Sequence, residues 1–498
     1  MPSATPTTAT DYEIVIGLEV HAQLLTASKM FCRCSADYAN AAPNTHCCPI
    51  CMGFPGTLPV INERAVEYTV MTALALHCEI PEFSKFDRKN YFYPDLPKGY
   101  QISQYDIPLS RNGYLTIQFA GEEKRIGITR VHLEEDTGRH LSRSEHGESY
   151  SLVDLNRAGV PLMEIVSEPD IRSAEEARLY VEKLRSILVY LGVNSGRMEE
   201  GALRCDANVS LRPRGQKEFG VKTEIKNMNS FRAVERALTY EAARQLEELQ
   251  AGREIVQQTR GWREDKGITV LQRVKEFADD YRYFPEPDLP PLTFSRERVE
   301  EIRARMPELP DAKRERFIAQ YGLSAYDAEQ LTAERAVADY FEAVVTMGDE
   351  RKESERAARA KNAANWINGE LRRLLNAAGR EIEASRVTPA GLAELLDLVE
   401  HGTISGTQAK DVLELAFASG DAPAEIVARE GLSQLSDGGE LEQIVAEVIA
   451  ENPKAVEDYR AGKFAAVQFL VGQVMKRTKG RAKPDAVQPI LLGKLDQS

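Results

Sequence analysis

The sequence predicts an α+β protein, in which a domain with a mainly antiparallel sheet is followed by an all-α helical domain and a small all-α tail domain. Between residues 12 and 291, segments of alternating polarity follow one another with few helical patterns, as is typical of hairpin-connected antiparallel strands. From about residue 295 the chain is helical in composition. The predicted divisions are a flexible tail at 1–11, a sheet domain at 12–294, a helical domain at 295–421 and a tail domain at 422–498.

The composition is that of a globular protein of several domains. The length of 498 residues favours roughly three domains, and the contents of 43% hydrophobic and 28% charged residues are ordinary. No apolar run is long enough for a transmembrane helix. The first ten residues lack an apolar core and any Lys or Arg, so we expect a flexible tail rather than a signal or transit peptide. Most cysteines crowd into one segment, which favours the reducing cytoplasm.

The first strand is predicted from strict alternation at 12–24. Glu19 and His21 lie two residues apart on its polar face, so their side chains project within a few ångströms of each other. A carboxylate and an imidazole on a rigid strand can bind a divalent metal ion. The alternative is a solvated strand face that carries a surface ion pair.

A cysteine cluster follows this strand. Cys32 and Cys34 are separated by one residue, and Cys48 and Cys51 by two. Four thiolates at such spacing suit a closed tetrahedral zinc site, which is structural because no coordination position remains open. The alternatives are disulfides or free thiols, and Cys47 or His46 can replace one of the four ligands.

The segment 85–104 combines cations with aromatic residues. Three cations, Arg88, Lys89 and Lys98, are suited to hold phosphates. Two aromatic residues, Tyr91 and Tyr93, are suited to stack on a base. The alternative is an aromatic loop packed on the sheet.

Further strands carry charged residues on one face. The segment 126–136 ends in Glu134, Glu135 and Asp136, and Glu164 lies inside an apolar run, where an acid needs a partner or a metal. A capping box at Ser173 opens a helix that ends near Gly192. Beyond this helix, two more strands present the following charged and polar residues: Arg204, Asp206, Asn208 and Ser210, then Lys222, Glu224 and Lys226.

This pattern indicates phosphoryl transfer, since that chemistry needs carboxylates to hold a divalent metal and cations to neutralise the transferred group. Neither a P-loop nor a Gly-x-Gly-x-x-Gly motif is present. If ATP binds, we expect it to bind on the sheet.

One basic patch lies near the end of an otherwise acidic chain. The net charge of −14 excludes a generic polyanion binder, so a nucleic-acid contact must be local. The predicted contact residues are Lys476, Arg477, Lys479, Arg481 and Lys483. The alternative is a solvated helix end.

Several long segments together resemble the B subunit of aspartyl/glutamyl-tRNA(Asn/Gln) amidotransferase, in the GatB/GatE family. They occur in the family's order, and the resemblance covers nearly the whole chain after Asp11. No insertion fits the synthetase-like domain of the archaeal relative. The segments are 16–24, 85–95, 126–136, 152–170, 204–208, 279–287 and 469–476.

The resemblance implies a cradle-like catalytic domain that binds ATP and Mg²⁺. The family phosphorylates the side-chain carboxylate of Glu or Asp mischarged on tRNA(Gln) or tRNA(Asn), and ammonia then converts it to the amide, which makes it a carbon–nitrogen ligase with glutamine as amide donor. Ammonia comes from the amidase-type A subunit, which is a glutaminase, and the small C subunit makes the complex a heterotrimer. The tail domain contacts the tRNA.

The resemblance also implies site residues. The metal ligands match Glu19, His21, Glu135 and Glu164, with Asp206 in the same pocket, whereas the strand pattern alone does not choose between Glu134 and Glu135. The zinc ligands match Cys32, Cys34, Cys48 and Cys51. We expect Lys89, Arg204 and Lys222 to stabilise the phosphoryl transfer.

The sequence also leaves two other functions open. One is a non-catalytic, zinc-bearing tRNA adapter, which the spread of carboxylates over several strands disfavours because phosphate binding alone requires cations. The other is a free-standing ligase for a small amino acid, which the helical domain and basic tail disfavour.

Overall fold

The structure, a computed structural model, describes residues 11–145, 148–274, 281–347, 353–432, 438–461, 463–478, 481–482 and 484–497. The chain divides into two compact units, Met1–Leu309 and Pro310–Ser498. The predicted flexible tail lies, apart from Asp11, outside the described residues.

The first unit is an α+β domain, as the sequence predicts. Its strands are β1 (Tyr12–Gln23), β2 (Phe83–Ser84), β3 (Asp87–Asn90), β4 (Tyr100–Ser103), β5 (Ser110–Phe119), β6 (Glu122–Glu135), β7 (Arg139–Glu145), β8 (Glu148–Asp154), β9 (Pro161–Ser167), β10 (Leu203–Pro213), β11 (Thr223–Met228), β12 (Gln258–Arg263), β13 (Ile268–Val274), β14 (Phe284–Pro285) and β15 (Leu292–Thr293). Its helices are α1 (Glu63–Ala75), α2 (Ala174–Leu191), α3 (Phe231–Gln250) and α4 (Arg296–Ala304).

Eight strands form the main sheet, in the order β13-β12-β11-β10-β1-β9-β6-β5. All neighbours pair antiparallel except β11 and β12, which are parallel. Strand β1 therefore lies between β10 and β9. This order brings the five strands with predicted charged faces, β11, β10, β1, β9 and β6, next to one another.

The two faces of the sheet differ because the strands alternate. Ile16, Leu18 and Val20 of β1 are buried in the core, where α1, α2 and α3 pack against the sheet. Helix α2 begins after the Ser173 cap and ends at Gly192. These helices cover only one face of the sheet. The polar residues lie on the opposite face. Helix α4, which follows the predicted boundary at 294, packs against α1.

The second unit is helical in its described part, as predicted. Its helices are α5 (Pro310–Tyr321), α6 (Ala325–Thr332), α7 (Arg335–Thr346), α8 (Glu353–Trp366), a π-helical turn (Ile367–Leu371), α9 (Arg372–Ala378), a 3₁₀ turn (Ile382–Ala384), α10 (Pro389–Glu400), α11 (Gly406–Ser419), α12 (Pro423–Glu430), α13 (Gly438–Glu451), α14 (Pro453–Arg460), α15 (Ala465–Arg477) and α16 (Pro484–Gln497).

Two apolar clusters organise this unit. The first runs from Phe317 to Val427 and the second from Leu441 to Leu495. Since α12 packs in the first cluster, we propose that the tail domain begins after α12 rather than at residue 422. Among the helices that the structure describes, none has the length and apolar character needed to cross a membrane.

Candidate functional site

A cavity of about 600 Å³ opens over the polar face of the main sheet. The register explains its lining, because β9 lies between β1 and β6. Glu164 of β9 is opposite His21 of β1 on one side and His132 of β6 on the other. Side chains of these and neighbouring strands thus meet in one place. The predicted residues that line the cavity are Glu19, His21, Lys89, Tyr91, Glu164, Arg204, Asp206 and Lys222.

His21, Glu134 and Glu164 form a group suited to hold a metal ion. Each offers one ligand atom within 4.8 Å of the others. The Glu164 carboxylate lies 3.4 Å from His21 Nε2 and 3.4 Å from His132 Nε2. Ser103 Oγ donates a hydrogen bond of 3.0 Å to Glu134. An imidazole and two carboxylates so placed fit a divalent cation.

The electrostatics of this group are those of interacting buried charges. Burial lowers the pKa of His21, but the hydrogen bond and charge of Glu164 outweigh it and raise this pKa to about 9. Burial raises the pKa of Glu164, yet the charge of His132 and the hydrogen bond from His21 bring it well below its usual value. Glu164 is therefore an anion between two imidazoles.

Glu135, which the resemblance implies as a metal ligand, lies outside this group, whereas Glu134 belongs to it. Adjacent residues of β6 point to opposite faces, so Glu134 faces the cavity and Glu135 faces away from it. The Glu135 carboxylate pairs with Lys98 and accepts a hydrogen bond of 3.0 Å from the Ile102 amide. Lys98 is thereby also placed outside the cavity lining, beside a separate pocket.

We expect Glu134→Gln to weaken the binding of Mn²⁺, used as a probe of this group, by about 10-fold or more, because the change removes one of its negative charges. Glu135→Gln is the matched control, since it makes the same change one residue away on the other face. Titration by electron paramagnetic resonance measures both. Weaker binding in Glu135→Gln alone would make Glu135 the ligand and Glu134 a bystander.

Glu19 and Asp206 line the cavity but have other partners. Glu19 accepts a hydrogen bond of 2.9 Å from Asn208 Nδ2. Asp206 lies opposite Glu19 in the register and pairs with Lys226 Nζ at 2.6 Å. Glu19 lies two residues before His21 on the same face of β1, whereas the charge of Asp206 is balanced by Lys226.

Three predicted cations also reach the cavity. Arg204 donates a hydrogen bond of 3.0 Å to Asp136, which is buried. Lys89 Nζ lies 5.9 Å from the ring centroid of Tyr91 and 4.9 Å from that of Tyr281. Burial lowers the pKa of Lys89, but the nearby acidic groups, Glu134 and Glu164 among them, together outweigh it and raise this pKa. Lys222 is exposed at the edge.

Of the two predicted stacking residues, the structure brings only Tyr91 into the cavity lining. Tyr93 is 58% exposed and contacts His140 edge-on instead. Sequence reasoning did not select several lining residues. The position of His132, two residues before Glu134 on the same strand face, could have indicated it. Among the omitted residues are Tyr105, Arg130, His132 and Tyr283.

The four predicted cysteines meet in a second group, and their Sγ atoms lie within 4.8 Å of one another. All seven cysteines are free thiols. The Sγ atoms of Cys48 and Cys51 are 3.9 Å apart, close to the separation in a tetrahedral zinc–thiolate centre, about 3.8 Å. The hydrogen bond from Cys32 lowers the pKa of Cys51 to about 4. This donor set fits zinc, and Cys47 is not part of the group.

The basic patch in the second unit is partly neutralised. Arg477 forms ion pairs with Glu447 at 2.9 Å and with Glu451 at 2.6 Å. Arg481 Nε donates to the carbonyl of Thr478 at 3.3 Å. The predicted contacts Lys479 and Lys483 lie outside the described residues, so Lys476 is the other described member of the patch.

Two family models match the chain. The model described as the GatB/GatE catalytic domain matches residues 14–300, and the model described as the GatB domain matches residues 339–495. The first match alone covers more than half of the chain. The chain therefore belongs to the GatB/GatE family.

Two relatives within this family match it over almost their full length. It is 57% identical over 486 residues to a protein of Carboxydothermus hydrogenoformans, covering 97% of this chain and 99% of the relative. It is 58% identical over 487 residues to one of Thermomicrobium roseum, covering 98% and 99%. Both relatives are named as the B subunit of aspartyl/glutamyl-tRNA(Asn/Gln) amidotransferase. The predicted resemblance to the B subunit is confirmed.

Proposed function

We propose that this chain is the tRNA-dependent kinase subunit of an amidotransferase. It transfers the γ-phosphoryl group of ATP to the side-chain carboxylate of Glu or Asp mischarged on tRNA(Gln) or tRNA(Asn). The observation that supports this best is a single cavity in which a group of metal-binding residues meets several cations. The names of the full-length relatives support the same substrate class.

The metal ion of this reaction is Mg²⁺. His21, Glu134 and Glu164 would hold it, with Glu19 beside them on β1. When bound, the ion neutralises negative charge on the phosphate oxygens. Hydrogen bonds from Ser103 to Glu134 and from Asn208 to Glu19 fix the orientation of the carboxylates.

The ATP base binds in an apolar pocket of about 270 Å³ that shares Glu19, Asn208 and Lys222 with the cavity. Val15, Val166 and Phe219 are among the residues that line this pocket, and they offer apolar contact to a purine. The phosphates would then extend past Lys222 toward the carboxylates. This arrangement fits ATP binding on the sheet in a chain whose sequence has no P-loop.

The nucleophile belongs to the substrate. A carboxylate oxygen attacks the γ-phosphorus, the bond to the ADP oxygen breaks, and an acyl phosphate forms. Lys89 and Arg204 would neutralise the transferred charge. Their positions are fixed by the aromatic rings around Lys89 and by the buried Asp136 that accepts from Arg204.

Ammonia completes the reaction. It attacks the acyl carbon, phosphate leaves, and the amide forms. We propose that glutamine hydrolysis on the A subunit supplies the ammonia, and that this ammonia reaches the site through a channel between the subunits. The small C subunit would complete a heterotrimer, and we propose that this assembly works in the cytoplasm. The cysteine group would bind Zn²⁺. This ion would be structural rather than catalytic, because the four thiolates fill its tetrahedral coordination shell. The tail domain would contact the tRNA through its basic patch.

The test is phosphate release from ATP by this chain assembled with the A and C subunits in Mg²⁺ buffer. We expect release with Glu-tRNA(Gln) or Asp-tRNA(Asn), and none with Gln-tRNA(Gln), which lacks a side-chain carboxylate. No release with either mischarged tRNA, despite tight tRNA binding, would contradict the proposal and favour the non-catalytic adapter.

A further inference from the structure

The cavity has an aromatic rim that the proposed phosphoryl transfer does not use. Tyr105 and Tyr283 line it, and their rings stack with centroids 4.1 Å apart and planes within 6°. Tyr105 is still 56% exposed although Tyr283 covers one face of its ring. The outer face of this stack is therefore accessible from solvent at the edge of the cavity.

Buried polar contacts hold the rim in place. The Tyr105 amide donates a hydrogen bond of 3.0 Å to Asp87, which is 1% exposed. The preceding residue, Gln104, is also buried, donates to Ser84 Oγ at 2.8 Å and accepts from the Leu133 amide at 3.1 Å. A ring on so well-anchored a backbone loses little conformational freedom when a ligand stacks on it.

Further aromatic and cationic groups continue the rim into the cavity. Tyr281 contacts Tyr283 edge-on with centroids 5.9 Å apart, and Lys89 Nζ lies 4.9 Å from the Tyr281 ring. Arg130 lines the same cavity. Aromatic rings beside cations are the means by which proteins hold the bases and phosphates of unpaired nucleic acid.

We propose that Tyr105 and Tyr283 form the stacking platform for the unpaired 3′-terminal base of the tRNA whose aminoacyl group enters the cavity. This inference rests on the proposed function. An adenine ring is available from both ATP and a tRNA end, but the apolar pocket that contains Phe219 accounts for the ATP base. The platform fixes the position of the terminal nucleotide and does not select the tRNA, because stacking tolerates any base.

The direct test uses the complete enzyme and tRNA with the fluorescent base 2-aminopurine at its 3′ terminus, since stacking on an aromatic ring quenches this fluorophore. We expect quenching by the wild-type enzyme that unlabelled tRNA reverses and ATP does not. Tyr105→Phe, which keeps the ring, retains the quenching, and Tyr105→Ala loses it. The absence of quenching by the wild-type enzyme overturns the proposal, even if Tyr105→Ala fails to fold. Quenching that ATP reverses assigns the platform to ATP and also overturns it.

Kinetics give a second readout. Tyr105→Ala should raise the KM for Glu-tRNA(Gln) about 10-fold or more and leave the KM for ATP unchanged. Tyr326→Ala, which removes a tyrosine that is 69% exposed in the second unit, is the control. A rise in the KM for ATP alone contradicts the platform. A wild-type enzyme without any tRNA-dependent phosphate release contradicts the proposed function instead.

Discussion

Glu164→Gln is expected to lower tRNA-dependent phosphate release by about 10³-fold, because the metal group loses a charged ligand that stabilises the phosphoryl transfer. The substitution keeps the shape of the side chain. It also leaves His21 and His132, each 3.4 Å from the carboxylate, without the anion between them. Steady-state phosphate release with Glu-tRNA(Gln) measures the effect, and filter binding should show nearly unchanged affinity for the tRNA.

Glu168→Gln is the matched control for this change. Glu168 follows β9 directly, is exposed, and accepts a hydrogen bond of 2.7 Å from Thr129 Oγ1 outside the cavity. Its replacement should leave phosphate release within about twofold of the wild-type rate. Equal losses in both variants, or loss of tRNA binding together with phosphate release in Glu164→Gln, would mean that the strand end is disrupted rather than the site.

Cys51→Ser is expected to reduce bound zinc from about one ion per chain to about a tenth of that, because a neutral hydroxyl is a poor ligand for zinc. The melting temperature should fall, since an ion that binds only the folded state stabilises it. Cys51 is the buried member of the group, and its Sγ lies 3.7 Å from the Lys29 ammonium, which is also buried. Elemental analysis and thermal unfolding measure the two effects.

Cys47→Ser provides the control, because Cys47 is adjacent to the group in sequence and outside it in the structure. It should retain zinc and the wild-type melting temperature. If Cys47→Ser lost zinc and Cys51→Ser retained it, Cys47 would be a ligand and the assignment of the group would be wrong.

The strands could be predicted from the sequence because their faces differ in polarity. In β1, Ile16, Leu18 and Val20 are buried in the core, while Glu19 and His21 line the cavity. The same alternation carries the information that Glu134 and Glu135 face opposite ways. It does not say which of them faces the site, because this depends on the pairing of β6 with β9, a contact that is distant in sequence.

The aromatic rim could not be predicted for a similar reason. Tyr105 follows β4, and Tyr283 precedes β14, in a segment whose prolines indicate only a boundary. Strand β3 pairs with both β4 and β14 and so brings the two tyrosines together. Local patterns predict elements, whereas a site assembled from distant elements depends on their pairing.

Attack of the substrate carboxylate on ATP can be tested by following the carboxylate oxygen. Glu-tRNA(Gln) labelled with ¹⁸O in the side-chain carboxylate is incubated with the complete enzyme, ATP, Mg²⁺ and glutamine, and the released phosphate is analysed by mass spectrometry. We predict ¹⁸O in the phosphate, because the bridging oxygen of the acyl phosphate leaves with phosphorus when ammonia attacks carbon. Unlabelled phosphate released at the rate of amide formation would contradict it, since water would then be the group that attacks ATP.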